Sequence, residues 1–373
     1  MNPTDTGVEN ATIDHAQDAY EASFRFIDEL TSKCDDVQAN VLAEILSQNL
    51  ETEYLKRYDL SKGCMDREKF KSKVPVITYD DIKHDIGRIY NGDMSPILTT
   101  QPISEIWLSS GTSDGQRKPV LATDDDMQRR HMLITTIMPF IRHRINGQER
   151  DNGKAFSLLL TRNEIVTPGG LLARPSLSSV YKNPKFYCDK HYPFNTNTSL
   201  IEAIHCSDHF QSIYTQLLCG FYQRLEVTRI KVVYGSTLVW AVHFLKKYYS
   251  ELCHDISSGC LSSKMPINHY EHVWLRRLRF MHDPKPELAK FIEHTCMEEN
   301  WEQIFKKIWP NTKYLETVVS GSMAQYIPIL NYYSGGLDSK FSSNVVWQWR
   351  TFLGRFIGLL GLMSPLGRLR FGS

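Results

Sequence analysis

Leu108-Ser-Ser-Gly-Thr-Ser-Asp-Gly-Gln-Arg-Lys118 is the stretch on which the reading of this chain turns. It joins two glycines, four hydroxyl residues (Ser109, Ser110, Thr112, Ser113) and the basic pair Arg117-Lys118 in one short segment. An alternating apolar run, Ile103 to Leu108, leads into it, and a helix-like run beginning near Asp124 follows. Glycine lets the backbone approach an anion and adopt positive φ. Successive N–H groups then form an anion nest, with hydroxyl donors and a cation around it. The composition is that of a loop that wraps polyphosphate, though an ordinary polar turn can share it. It is not a Walker A loop, because Gly115 is not followed by Lys-Ser/Thr, and it is not a dinucleotide fingerprint.

Outward from the loop, helical and strand periods alternate. Val37, Val41, Ile45 and Leu50 fall on one helical stripe, with Asp35 and Asp36 as expected caps. Val74–Thr78 reads as a short strand, and Asp80 and Asp81 open a helix that stops near Gly92. Asp124–Asp126 cap a helix carrying Met127, Ile134, Ile137, Met138 and Ile141. Phe156–Leu160 is a continuous apolar run of the buried-strand kind. Ser207 caps a helix whose apolar face is Phe210, Tyr214, Leu217, Leu218 and Phe221. Arg229–Tyr234 is a strand, Thr237 to about Tyr249 a helix, and Lys313–Val319 a further strand. The alternation implies an α/β architecture with a substantial sheet.

Composition limits the function classes. The 373 residues are 42% hydrophobic and 23% charged, as in a soluble globular protein of about two domains' length. A net charge of +1, with no DNA- or RNA-binding motif, excludes broad nucleic-acid binding. The polar start, Met1 to Asp14, is no signal peptide, and no apolar run approaches the roughly 20 residues of a membrane span, so the chain is expected in the cytoplasm without stable membrane insertion. The eight cysteines show no CxxC pair or zinc-like spacing, so no metal site is assigned and the thiols are expected to be buried. His205-Cys206 and Cys253-His254 are neighbours in sequence, which does not by itself place a base on a nucleophile.

Blocks spread along the chain carry a family resemblance. They are Asp35-Asp-Val-Gln38, Glu53-Tyr-Leu-Lys-Arg57, Val76-Ile-Thr-Tyr-Asp-Asp-Ile82 and the 108–118 loop, then Thr167-Pro-Gly-Gly-Leu171 and Cys206-Ser-Asp-His-Phe-Gln-Ser212. Leu218-Cys-Gly220, Trp309-Pro-Asn-Thr-Lys-Tyr314 and Gly321-Ser-Met-Ala-Gln-Tyr-Ile-Pro328 complete the set. In this order they resemble the plant acyl-acid-amido synthetases, the auxin-responsive Gretchen Hagen three family, over about residues 18–337. The branch most resembled is the one that conjugates indole-3-acetic acid to amino acids. The resemblance implies an adenylate-forming, firefly-luciferase-like large N-terminal domain. It implies ATP with Mg2+, an auxin-like acyl acid and an amino acid as partners, and ligation through an acyl adenylate. No oligomeric state is read from it.

Carried over residue by residue, the resemblance gives Ser109, Ser110, Thr112, Ser113 and Lys118 to the phosphate loop. It gives Arg130, Ser176, Leu177 and Val233 to the acid pocket, with Arg130 suited to a carboxylate and the two apolar side chains to an indole ring. From the residues alone, Arg130 reads equally as a solvated arginine on a helix face, and Leu177 and Val233 as plain core. Ser176 departs from the valine of the auxin branch.

The family pattern stops at Leu337. The Tyr-Ala-Ser-Ser-Glu-type and Tyr-Arg-x-Gly-Asp-type segments and the small C-terminal domain with its catalytic lysine are absent from these 373 residues. Residues 338–373 form a basic, aromatic, glycine-broken tail, in which Phe352–Met363 has an amphipathic reading. The expected organisation is thus a polar extension over 1–17, an incomplete large domain over 18–337 and a divergent tail. Two functions follow from it. One is an ATP-dependent ligase; the other is a non-catalytic remnant that binds nucleotide or acid weakly.

Overall fold

A computed structural model describes residues 21–22, 24–60, 67–109, 117–129, 131, 153–184, 197–260, 283–319 and 321–336. The expectations for the N-terminal extension, the far end of the helix after Asp126 and the tail from 338 lie outside the described residues. Seven strands are described: β1 (Ile103–Leu108), β2 (Pro119–Thr123), β3 (Lys154–Leu158), β4 (Ile165–Val166), β5 (Leu172–Pro175), β6 (Val227–Tyr234) and β7 (Tyr314–Val318). The helices that matter below are α1 (Cys34–Asn49), α2 (Tyr79–Tyr90), α3 (Ser176–Lys182), α4 (His209–Tyr222), α5 (Gly235–Ser258), α6 (Pro286–Met297) and α7 (Ile327–Ser334). The α/β expectation holds. The described residues form two compact units, the first comprising those up to Glu149 with Asn163–Ser179, the second Arg150–Arg162 with those from Val180 onward.

The first unit is built on a mixed sheet of order β2-β1-β5-β4, in which β1 runs parallel to β5 and antiparallel to β2. One face of this sheet, Ile106 with its register partners Leu121 and Ala173, closes a core with Leu42, Leu46, Ile82 and Ile86. Leu42 and Leu46 are the buried apolar residues of α1, with Leu50 buried just past its end, while Val37, Val41 and Ile45 lie at the margin. Asp35 and Asp36 do not cap α1; they lie in its first turn, where a carboxylate complements the helix dipole. Val74–Thr78 is irregular chain and not a strand, since Pro75 has no N–H to pair and Val76 is exposed. Thr78 caps α2, its N–H and hydroxyl donating to the Asp81 carboxylate at 2.7 and 2.8 Å.

The Glu53–Arg57 block proves to be an ion-pair anchor. Arg57 forks onto the buried Asp85 at 2.8 and 2.7 Å. Arg88 bridges Glu53, at 2.6 Å, and Asp93, at 2.7 Å. The Ser95 hydroxyl and N–H, then Arg88, hold the Asp93 carboxyl down to about 2, and Arg88 lowers that of Glu53. A carboxyl whose folded-state pKa lies below its unfolded value of about 4 stabilises the fold above that pH. The contribution is lost as the pH falls through the folded value, here the window from about 4 down to about 2. Carboxyl NMR titration is expected to place the Asp93 midpoint near 2. Ser95→Ala is expected to raise it; an unmoved midpoint would assign the depression to the Ser95 N–H and Arg88 and not to the hydroxyl.

The second unit carries the parallel sheet β3-β6-β7. Parallel neighbours need crossover connections, supplied by α4 between β3 and β6 and by α5 and α6 between β6 and β7. Phe156 and Leu158 of β3, Ile230 and Val232 of β6, Leu217 and Phe221 of α4, and Leu238 and Leu245 of α5 form one core. The N-cap of α4 is Asp208, which accepts from the Gln211 N–H at 3.0 Å, and not Ser207. Helix α5 starts two residues before Thr237 and runs nine past Tyr249, because no breaker appears until Gly259, which caps it at φ 67°.

Candidate functional site

The expected phosphate loop is a hairpin connection. Leu108 at the end of β1 pairs with Pro119 at the start of β2, so the loop returns into an edge strand that periodicity did not reveal. Its neck is closed by two hydrogen bonds: Ser109 N–H donates to the Lys118 carbonyl at 3.0 Å, and Lys118 N–H to Ser109 Oγ at 2.8 Å. The Lys118 ammonium lies 5.4 Å from the centre of the Tyr79 ring, and Arg117 is exposed. Ser110, Thr112 and Ser113 lie outside the described residues. The helix near Asp124 begins after β2, capped by Thr123, whose N–H donates to the Asp126 carboxylate at 2.9 Å. The described ends of the loop, Ser109 and Arg117-Lys118, therefore place a basic pair where β1 gives way to β2.

Ser176 and Leu177 emerge next to this neck. Leu108 is in register with Pro175, so the parallel strands β1 and β5 release the loop and the first turn of α3 side by side. Both residues are half-buried there. Crevices beyond the carboxyl ends of parallel strands are the usual ligand sites of α/β sheets. Val233, also half-buried, is the penultimate residue of β6 in the second unit. Arg130 lies outside the described residues.

Beneath the loop is a polar cluster that the sequence reading missed. Glu105 on β1 is 5% exposed. Its Oε2 accepts from Arg174 Nε at 2.8 Å and Nη2 at 2.7 Å. Its Oε1 accepts from Trp107 Nε1 at 2.6 Å and from the Ser179 hydroxyl in a short bond. Arg174 also reaches Glu164 at 3.2 Å, and Ser179 Oγ lies 3.6 Å from Met127 Sδ. The one available signal was an acidic residue at an inward position of an alternating strand. Its cationic partner is 69 residues away.

Other residues are structural. Gly169 N–H donates to the Tyr90 carbonyl at 3.1 Å, and its backbone lies so close to Gly92 that a Cβ would meet that nitrogen at 2.4 Å. The Thr167–Leu171 block is therefore a packing turn. Cys206, Cys219, Cys253 and Cys296 are buried as expected, but Cys34 and Cys260 are exposed. Burial pushes the Cys219, Cys253 and Cys296 thiols up to about 12, which removes them as nucleophiles. His205 Nε2 meets the Tyr181 carbonyl at 2.7 Å, while the Cys206 thiol donates to the Asp208 carbonyl at 3.4 Å. Among the described residues no group of three His, Cys, Asp or Glu side chains is placed to hold a metal ion, and no helix is long and apolar enough to cross a membrane.

A family model described as the GH3 family N-terminal domain matches residues 23–339. The indole-3-acetic acid-amido synthetase GH3.3 of Arabidopsis thaliana is 49% identical over 316 residues, 84% of this chain and 52% of that protein. The indole-3-acetic acid-amido synthetase GH3.8 of Oryza sativa subsp. indica is 42% identical over 337 residues, 90% of this chain and 54% of that protein. Among solved structures, the GH3.15 acyl acid amido synthetase superposes with a TM-score of 0.75 at 35% identity, covering 84% of this chain and 53% of that one. The chain thus spans about half the length of these relatives.

Proposed function

The chain belongs to the GH3 family, and from that premise we propose that it carries the nucleotide- and acid-binding part of an ATP-dependent acyl-acid amido synthetase. The acid is indole-3-acetic acid and the acceptor an amino acid. The observation that carries this reading is the closed neck of the loop at Ser109 and Lys118 beside the first turn of α3. It supports a polyphosphate and a carboxylic acid held at neighbouring strand ends.

A carboxylate is a poor electrophile. Its oxygen attacks the α-phosphorus of ATP and pyrophosphate leaves, giving an acyl adenylate. The amine of the amino acid then attacks the acyl carbon, AMP leaves, and the nitrogen sheds its proton. In the first step, negative charge moves onto pyrophosphate. A cation and N–H donors fixed in advance stabilise that charge without reorganising. Lys118 and the loop backbone would take that role. Ser176 and Leu177 would line the acid. Mg2+ enters as the counter-ion of ATP, screening its phosphates, and a cytoplasmic setting is part of the same proposal.

Lys118→Ala removes a charge-assisted contact worth about 1.5–3 kcal/mol, so Mg-ATP is expected to bind roughly ten- to a hundredfold more weakly. Titration calorimetry on the full chain is the check. No binding by the unaltered chain at millimolar nucleotide, or equal binding by the variant, overturns the reading. Nucleotide and acid binding without amide formation would leave the ligand sites standing and refute turnover.

A further inference from the structure

We propose that Glu105 is a positioning residue that ties the phosphate loop to the acid-pocket helix, fastening β1, β5 and α3 through one buried carboxylate. The inference rests on the functional reading above and names a residue that neither the loop nor the pocket assignment contains.

The geometry divides its two oxygens between two tasks. Oε2 is chelated by Nε and Nη2 of Arg174, and so joins β1 to β5 across the sheet. Oε1 accepts from Ser179 of α3 and from Trp107 of its own strand. Glu105 lies four residues before Ser109, Arg174 two before Ser176, and Ser179 two after Leu177. Arg174 is therefore one strand repeat and Ser179 less than one helical turn from a proposed ligand-binding residue, and Glu105 is two strand repeats from Ser109.

Holding the sheet together does not require this arrangement. Ile106 and Ala173 already join β1 to β5 through the apolar face. A buried ion pair stabilises folding little compared with apolar side chains of similar volume. What it does supply is direction: a guanidinium fork accepts a carboxylate in few orientations, and every acceptor site of Glu105 is engaged. Parallel strands could otherwise shift by fractions of an ångström, enough to misplace reacting groups. The cluster sets where the loop neck stands relative to the turn at Ser176.

The test compares Glu105→Gln and Ser179→Ala with the unaltered full chain. Calorimetry measures Mg-ATP and indole-3-acetic acid separately, and hydrogen exchange follows amides 109–118 and 176–182. Glu105→Gln is expected to weaken both ligands about tenfold or more and to speed exchange in both segments. Ser179→Ala, which frees only α3, is expected to weaken the acid severalfold and leave nucleotide affinity unchanged. A folded Glu105→Gln chain with unaltered exchange in the two segments overturns the proposal, as does unaltered acid affinity in Ser179→Ala. If Glu105→Gln does not fold, Ser179→Ala decides by the same criteria. Should the unaltered chain bind neither ligand, the functional reading fails, and the exchange data still decide whether the carboxylate positions the two segments.

Discussion

Trp309→Ala is expected to lower unfolding stability by about 3–5 kcal/mol, the range for deleting a buried aromatic side chain. The indole is 2% exposed and stacks on Phe156 at 4.4 Å and 19°, with Phe221 on a second side at 5.8 Å. Its Nε1–H donates to the Gly220 carbonyl at 2.9 Å. Gly220 gives the ring pair its room, since a Cβ there would meet the Phe156 ring at 2.6 Å. Trp309 thus unites β3, α4 and the turn into β7, and two of the family blocks meet at one packing centre. Trp309→Phe keeps most of the stacking but leaves that carbonyl without its donor, and is expected to cost about 1–3 kcal/mol. Urea unfolding followed by circular dichroism measures both. A loss below about 1 kcal/mol for the alanine variant would show that the cavity collapses and that the ring is not the centre of this core.

The second large effect is expected at Ile106, the sequence neighbour of Glu105 on the opposite face of β1. It is 0% exposed and packs with Leu121 and Ala173. Ile106→Ala is expected to cost the first unit about 2–5 kcal/mol, and Ile106→Val about 0.5–1.5 kcal/mol. Native-state hydrogen exchange on the amides of α2 and β1 reads that loss. The nucleotide dissociation constant of the folded fraction is expected to stay near that of the unaltered chain. Adjacent residues should therefore separate cleanly, Ile106 through stability and Glu105 through ligand affinity. If Ile106→Ala weakens Mg-ATP tenfold in the folded fraction, the apolar face also positions the loop, and the division of labour drawn between the two faces of β1 is wrong.

The sequence by itself determined the features that depend on local periodicity and composition. Phe156–Leu160 announced a buried strand by its apolar run, and β3 covers its first three residues, beginning two earlier at Lys154 and ending at Leu158. Arg229–Tyr234 and Lys313–Val319 announced the strands now seen as β6 and β7. The glycines and hydroxyls of 108–118 marked a loop, and the scattered blocks marked the family to which the chain belongs. Only the tertiary structure decided the rest. It showed that the loop closes a hairpin, because β2 begins at a proline and is too short for a period to show. It moved the cap of α4 from Ser207 to Asp208, since capping depends on which side chain reaches the Gln211 N–H and both residue types suit the role. It gave the Trp309 and Gly169 blocks packing roles that residue identity does not disclose. Above all it brought Arg174 and Ser179 to Glu105 across 69 and 74 residues of chain. Strand pairing and the folding of α3 over the sheet create that contact, and no local pattern encodes a partner so distant in sequence.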